Sequence, residues 1–245
     1  RAAHSGRRAF LGAAVSAAAV AGVAIAYPPA RLWPAPAEWG ADDRTHTGEQ
    51  RTVALADQVH VTLNTQTSIR RRAALAGTSA IDLLGGEAAI DLSAGGPPFA
   101  VVAGIGRSLA RSGRFEVRYL DGKVCVTCIA GAVQVEHPAG TRVLNARQQT
   151  AYDAHTLSSV TNIEPVSLSA WRRGELVFNE SRLSDVLAEI NRYRPGRVVL
   201  MNAAARNGPV SGRFLIASLD SVLAQLQQMF GLHARLLPGG LLILS

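Results

Sequence analysis

The hydrophobic period changes late in the chain, and this change constrains the fold more than any other sequence feature. From Thr45 to about Ala151, apolar residues alternate with polar ones, as in Val59, Val61 and Leu63. Alternation of period 2 is typical of half-buried strands, whose successive side chains point to opposite faces. Because no helical period persists there, this region is predicted to be all-β, either a sandwich or a solenoid.

Turn signals divide the alternating region into short runs. They are Gly85-Gly86, Gly95-Gly96-Pro97-Pro98, Asp121-Gly122, Gly131 and Gly140. Asp121-Gly122 lies between two alternating runs, and this dipeptide favours a tight hairpin because both residues tolerate a positive φ. Each of these positions is therefore predicted to be a turn between strands.

After about Ser167 the period becomes helical. Two apolar series have the spacing of a helix face: Leu183, Val186, Leu187, Ile190 and Tyr193, and then Leu219, Val222, Leu223, Leu226, Met229 and Phe230. Ser181 is the predicted N-cap of the first helix, and Gly231 is the predicted stop of the second. Strand-like segments flank both helices, at 175–178, 198–201, 210–214, 234–237 and 241–244. The order is β-α-β and then β-α-β-β, so the chain is predicted to have an α+β fold.

An uncharged apolar segment, Phe10–Tyr27, precedes both regions. At a rise of about 1.5 Å per residue, a helix of this length could just cross a hydrocarbon core of roughly 30 Å. Arg7 and Arg8 stand before the segment, and positive charge on one flank favours keeping that flank in the cytoplasm. The prediction is a single-pass inner-membrane protein with the residues after about 28 in the periplasm.

A cleavable signal peptide is the alternative for the same segment. Ala24-Ile25-Ala26 has the small-x-small pattern of a cleavage site, and Arg7-Arg8-Ala9-Phe10-Leu11 resembles a twin-arginine export signal. The product would then be a released structural or binding β-protein. Prolines in residues 28–43 predict an extended linker in either case, because proline fixes φ and removes a hydrogen-bond donor.

The charge pattern does not favour nucleic acid as a partner. The formal net charge is +7, and the basic residues are almost all arginine, with Lys123 as the only lysine. The arginines are scattered apart from Arg70-Arg71-Arg72, which is predicted to be a solvated strand end or turn. No direct nucleic-acid binding is therefore expected.

No local pattern predicts catalysis. The sequence lacks a phosphate-binding glycine loop and a Gly-x-Ser-x-Gly elbow, and no histidine is paired at metal-ligand spacing with another His or a Cys, so no catalytic, cofactor-binding or metal-binding residue is assigned. Cys125 and Cys128 have the spacing of a thiol oxidoreductase pair, but on a strand they point to opposite faces, which favours structural roles. Glu87 and Asp91 share a strand face and are expected to cap or salt-bridge a turn rather than act as an acid–base pair.

Short motifs follow one another in a fixed order after the apolar segment. In the β region they are Thr47-Gly48-Glu49-Gln50-Arg51, Leu55-Ala56-Asp57, Val61-Thr62-Leu63-Asn64, Gly86-Glu87-Ala88-Ala89-Ile90-Asp91-Leu92, Pro98-Phe99-Ala100-Val101, Gly113-Arg114-Phe115-Glu116-Val117-Arg118 and Ala130-Gly131-Ala132-Val133. Later they are Trp171-Arg172-Arg173-Gly174-Glu175-Leu176-Val177-Phe178 and Leu187-Ala188-Glu189-Ile190-Asn191-Arg192-Tyr193. In this order and spacing they resemble the FecR family of membrane-anchored sigma-factor regulators. Gln58-Val59 and Ala130 depart from the family's usual Gly-Ser and acidic residue.

The end of the chain, from Val210-Ser211-Gly212-Arg213-Phe214 onward, resembles the second half of the STN domain of TonB-dependent transducers and secretins. The two resemblances imply four segments. They are a basic flank and transmembrane helix at 1–27, a linker at 28–43, an all-β FecR-type domain at 44–165 and a small STN-like α/β domain at 166–245.

The FecR resemblance implies a transmembrane anti-sigma factor rather than an enzyme. A cytoplasmic part, which would precede Arg1, would hold an extracytoplasmic-function sigma factor. The periplasmic part would bind the signalling domain of a TonB-dependent outer-membrane transducer, in iron or siderophore uptake. The candidate contact residues lie on strands of the small αβ unit, where an open sheet edge offers unpaired backbone groups: Val210, Arg213, Phe214, Leu241 and Ile243. For the apolar ones, the alternative is a place in the domain core.

Overall fold

The computed structural model of the chain describes residues 38–56, 58–75, 77–163 and 169–245. The chain divides into two compact units, residues 1–40 and 41–245. The predicted membrane segment Phe10–Tyr27 and the proline-rich part of the linker lie outside the described residues. Within the described ranges, no helix is both long enough and apolar enough to cross a membrane.

The first part of the larger unit is all-β, as the alternation predicts. Its strands are β1 (Asp43–Arg44), β2 (Arg51–Ala56), β3 (Val59–Leu63), β4 (Ser68–Leu75), β5 (Thr78–Leu92), β6 (Phe99–Ala103), β7 (Gly106–Ala110), β8 (Gly113–Leu120), β9 (Lys123–His137), β10 (Gly140–Asn145), β11 (Gln148–Tyr152) and β12 (Thr161–Asn162). We call this part the β domain. The predicted boundary at 165/166 falls within residues 164–168, outside the described ranges.

Two long strands, β5 and β9, each take part in two layers of the β domain. The first half of β5 pairs with β4 and β6, and its second half pairs with β3 and β8. The first half of β9 pairs with β8 and β11, and its second half pairs with β7 and β10. Apolar side chains from both layers form one core, so the arrangement is a sandwich whose layers share two strands.

Two predicted turns are wrong, and both lie where these long strands pass between layers. Gly85-Gly86 lies inside β5, and Gly131 lies inside β9. Gly86 has φ +97°, and a Cβ there would lie 2.5 Å from the Cα atom of Thr67. Gly131 has φ +84°. Glycine therefore marks a bend with a close backbone approach at these positions, which local sequence does not distinguish from a turn.

Of two other local signals in the β domain, one agrees with the structure and one differs from it. The Asp121-Gly122 hairpin is confirmed between β8 and β9, with φ +49° and +76°. Arg70-Arg71-Arg72 lies within β4 rather than at a strand end or turn. Arg71 pairs with Asp43 at 2.8 Å and Arg72 with Asp82 at 2.5 Å, so these cations are matched by carboxylates rather than presented as a patch.

The second part, which we call the αβ domain, has the predicted order of elements. After a 3-10 helix at Ala170–Arg173 come β13 (Glu175–Arg182), α1 (Leu183–Tyr193), β14 (Val198–Leu200), β15 (Pro209–Leu215), α2 (Leu219–Phe230), β16 (Ala234–Leu237) and β17 (Leu241–Leu244). β13 and β15 form an antiparallel pair, whereas β17 lies between β14 and β16 in a second small sheet. The helices bury their apolar faces in a core of their own.

The helix ends differ partly from the predictions. The N-cap of α1 is Arg182 in an extended conformation, because Ser181 still belongs to β13 and pairs with Val210 of β15. Gly231 ends α2 as predicted, with φ +60° and its N–H donating to backbone carbonyls of the last turn. Met229 is 63% exposed, although its spacing predicts the buried face. Phe230, the last residue of α2, is half-buried against the αβ core, so Met229 alone departs from the predicted apolar stripe.

Candidate functional site

The outer face of the β domain carries an alternating set of charged residues. In β5, Ala88 and Ile90 point into the sandwich core, whereas Glu87 and Asp91 lie on the opposite face. Ala89, on the same outer face, belongs to the core of the αβ domain. The αβ domain thus packs directly on this face, which explains why the second half of β5 is buried on both sides.

A buried ion pair lies at the centre of this contact. Arg192, near the end of α1, donates from both terminal nitrogens to one carboxylate oxygen of Glu87, at 3.1 Å each. It also donates to Glu189 at 2.6 Å. Arg192 is only 9% exposed. Burial alone would lower the pKa of Arg192, but the carboxylates of Glu87 and Glu189 raise it, so the buried guanidinium keeps its positive charge.

Asn64 joins the same network from the end of β3. Its amide donates to Glu87 at 2.8 Å and to the Tyr193 hydroxyl at 2.7 Å. The neighbouring Thr65 hydroxyl donates to the carbonyl of Arg192 at 2.7 Å, which satisfies one of the carbonyls left unpaired at a helix end. The β domain therefore holds the C-terminal end of α1 by both its side chains and its backbone.

Three further polar contacts connect the domains around this pair. Arg118 of β8 pairs with Glu189, and Arg172 of the 3-10 helix pairs with Asp91 through two nitrogens. The Ser169 hydroxyl donates to Glu116 of β8. We call these ionic and polar contacts the interdomain seam. Its members are Glu87, Asp91, Glu116, Arg118, Ser169, Arg172, Glu189 and Arg192.

Glu116 is a buried carboxylic acid of the seam, and its ionisation responds to pH near neutrality. It is 6% exposed. Burial raises the pKa of Glu116 to about 7, with a smaller upward contribution from Glu87, while the Ser169 hydroxyl opposes the rise. A substantial protonated fraction at neutral pH follows from this value.

The two cysteines lie on opposite faces of β9, an arrangement that does not favour a redox pair. Cys128 is fully buried in the sandwich core, and Cys125 lies on the outer face of β9, so the predicted opposite faces are confirmed. Both thiols are free. Burial raises the pKa of both thiols, which disfavours the thiolate that thiol–disulfide exchange requires.

An acidic cleft of about 640 Å³ opens on one side of the seam, along β13. Its carboxylates are Glu87, Glu116, Glu175, Glu180, Asp185 and Glu189. The consecutive residues Glu175–Phe178 all line it, although neighbouring side chains of a strand point to opposite faces. The cleft therefore runs along the edge of β13.

That edge of β13 is unpaired within the described part of the chain. The N–H of Ile216 donates to the carbonyl of Gly174 at 2.8 Å, which fixes which residues face β15. By alternation, the backbone groups of Leu176 and Phe178 face β15, and those of Glu175 and Val177 face the cleft. Backbone donors and acceptors are therefore available there to an added strand.

The predicted contact residues do not share one surface. Val210 is fully buried in the αβ core, and Phe214 is half-buried with its ring 6.0 Å from that of Phe178. Arg213 is exposed and pairs with Glu175 at 2.8 Å. Leu241 and Ile243 are half-buried on β17, the central strand of the other small sheet. Their assignment to partner binding stays a prediction.

The sequence did not predict that these residues form one interdomain seam, although several of them were singled out by strand alternation or by motifs. Glu87 and Asp91 share a strand face as predicted, and both form ion pairs. They pair across domains, however, and not within a turn. Glu189, Arg192 and Tyr193 all belong to the motif on α1, so the structure explains that motif as a docking surface for the β domain.

Comparisons with known proteins agree with this architecture. The family model described as FecR protein matches residues 41–134. Two crystal structures, both of a candidate anti-sigma factor from Parabacteroides distasonis, have a similar fold with a TM-score of 0.71 each. They are 23% and 24% identical to this chain and align over 83% of it and 97% of their own chains. No curated protein matches the chain. Residues 41–134 therefore match the FecR family, and most of the chain has the fold of these structures.

Proposed function

We propose that this chain is the exported part of a FecR-type anti-sigma regulator of an extracytoplasmic-function sigma factor. The observation that carries the proposal is the FecR match over residues 41–134 within a fold shared with a candidate anti-sigma factor. In this proposal Phe10–Tyr27 anchors the chain in the inner membrane, and the residues after about 28 lie in the periplasm. A cytoplasmic part preceding that anchor holds the sigma factor.

The proposed periplasmic partner is the signalling domain of a TonB-dependent outer-membrane transducer, in iron or siderophore uptake. The β-α-β, β-α-β-β order of the αβ domain supports the resemblance to STN domains on which this partner rests. The domains provide a binding surface rather than a catalytic centre in this role. Binding changes the arrangement across the interdomain seam, and the change passes to the anchor.

The proposed route of binding is addition of a strand to the open edge of β13. The backbone groups of Glu175 and Val177 face the acidic cleft and would pair with the incoming strand. Arg213 and Leu241 test two of the contact positions predicted from sequence, one on each small sheet, and Val177 tests the strand edge. The three substitutions therefore separate strand addition at β13 from contacts at the two predicted positions.

The test is a binding titration of the purified chain with the transducer's signalling domain. Val177→Pro removes an N–H that faces the cleft while leaving the β15 ladder intact, so it is expected to weaken binding about tenfold or more. Arg213→Glu and Leu241→Asp report on the two positions predicted from sequence, with Arg206→Glu as a charge-matched control on an exposed arginine.

Circular dichroism verifies that each variant is folded. If the wild-type chain does not bind the signalling domain, the proposed partner is wrong. If it binds and folded Val177→Pro binds equally well, strand addition at β13 is wrong. Unchanged binding by both folded Arg213→Glu and Leu241→Asp excludes these two predicted positions as partner contacts.

A further inference from the structure

A second cleft, of about 560 Å³, opens on the seam and has the opposite charge to the cleft along β13. Its charged lining residues are Asp91, Arg114, Arg147, Arg172 and Arg173. Four guanidinium groups thus meet one carboxylate. The remaining lining residues are Ile129 and Ser169, which carry no charge.

The single carboxylate that lines this cleft already forms an ion pair. Asp91 accepts from both terminal nitrogens of Arg172, in the bidentate geometry that suits a guanidinium and a carboxylate. Arg114 lies directly across from Asp91 in the β5–β8 register but forms no ion pair with it. Arg173 lies 3.7 Å from the carboxylate of Glu175, which also pairs with Arg213 at the shorter distance of 2.8 Å. Among the described residues, the acidic groups nearby therefore leave positive charge uncompensated.

Arg147 enters the cleft from a third element, the turn between β10 and β11. Its backbone has φ +68° and is held at both ends. Its N–H donates to the carbonyl of Cys128 at 2.8 Å, and its carbonyl accepts from Ile163 at 3.0 Å. Among the residues that the structure describes, no carboxylate pairs with Arg114 or Arg147. These two arginines come from the β domain, whereas Arg172 and Arg173 come from the αβ domain.

We propose that this cleft, which we call the arginine cleft, binds a compact oxyanion with two negative charges, such as phosphate or a small dicarboxylate. The planar guanidinium group matches the oxygen spacing of both. Like charges gathered without counter-charges repel one another, and a bound dianion removes this repulsion. Because its arginines come from both domains, the ligand bridges them next to the Asp91–Arg172 pair and favours the docked arrangement.

Anion binding in the arginine cleft does not depend on the proposed function. Isothermal titration calorimetry of the full chain in detergent, with inorganic phosphate and with malonate at constant ionic strength, measures the binding directly. The variant Arg114→Gln/Arg147→Gln removes the two unpaired cations of the cleft. Its matched control is Arg206→Gln/Arg235→Gln, which removes the same charge from exposed positions outside the cleft.

We expect the wild-type chain and the control to bind at least one of the two anions, and the cleft variant to bind it about tenfold more weakly or not at all. A thermal-melting shift with the anion should be lost in the same variant. Phosphate binding alone assigns a phosphate ligand, and malonate binding alone assigns a dicarboxylate. Absence of binding by the folded wild-type chain overturns the proposal. Equal weakening in the cleft variant and its control also overturns it, because the effect would then be one of net charge.

Discussion

The two faces of β5 show that one strand serves two different kinds of contact. On the inner face, Ala88, Ile90 and Leu92 pack in an apolar core. On the outer face, Glu87 and Asp91 form ion pairs with the αβ domain. Apolar packing tolerates substitutions of similar volume, whereas a buried ion pair fixes one relative placement of its two partners. The inner face therefore stabilises the β domain, and the outer face specifies how the αβ domain docks on it.

A substitution in the apolar core that the inner face of β5 lines should have the largest effect on stability. Phe115 of β8 is 1% exposed in the sandwich core. Phe115→Ala is expected to lower the free energy of unfolding by about 3–5 kcal/mol, from lost burial and the cavity that remains. Urea unfolding of residues 41–245 measures it, with the exposed Val143→Ala as the control. A loss below about 1 kcal/mol would mean that this core does not dominate stability.

Loss of the ion pair at the centre of the interdomain seam should have the second largest effect on stability. Arg192→Met leaves the Glu87 carboxylate buried without its cation, and the expected loss is about 3 kcal/mol. Hydrogen exchange should locate the loss in α1 and the facing half of β5. Protection lost equally throughout the β domain would contradict the separation of the two faces.

The pH dependence of the seam follows from Glu116. Its pKa is about 7 in the folded chain and lies near 4.5 without burial. The stabilisation from its protonated form is therefore complete below about 4.5 and is lost as the pH rises through about 7, by up to about 3 kcal/mol. The stability difference between the wild-type chain and Glu116→Gln should change across this window. A difference independent of pH would show that Glu116 titrates as it does in the unfolded chain.

Loss of the ion pair at the edge of the interdomain seam should have the smallest effect on stability. Side chains of Asp91 and Arg172 are 28% and 27% exposed. Water therefore screens this pair more than the central one, and Asp91→Asn is expected to cost about 1 kcal/mol. Urea unfolding of this variant beside Arg192→Met measures the gradient from centre to edge. Equal losses would mean that burial does not set the strength of these pairs.

Local sequence predicts the elements of this fold well, because each depends on neighbours along the chain. The alternating strands, the Asp121-Gly122 hairpin and the order of elements in the αβ domain all follow from period and turn chemistry. Gly86 and Gly131 could not be assigned as bends, since glycine between two alternating runs also marks turns. The docking of Arg192 on Glu87 joins residues far apart in the chain, and no periodicity contains that information.

A double-mutant cycle at the centre of the seam tests directly whether ion pairing fixes the docking of the two domains. It compares Glu87→Gln, Arg192→Met and the double variant by urea unfolding of residues 41–245. We expect the double variant to lose at least about 1 kcal/mol less than the sum of the single variants, because removing both partners leaves no buried unpaired charge. Losses that add within about 0.3 kcal/mol would contradict it.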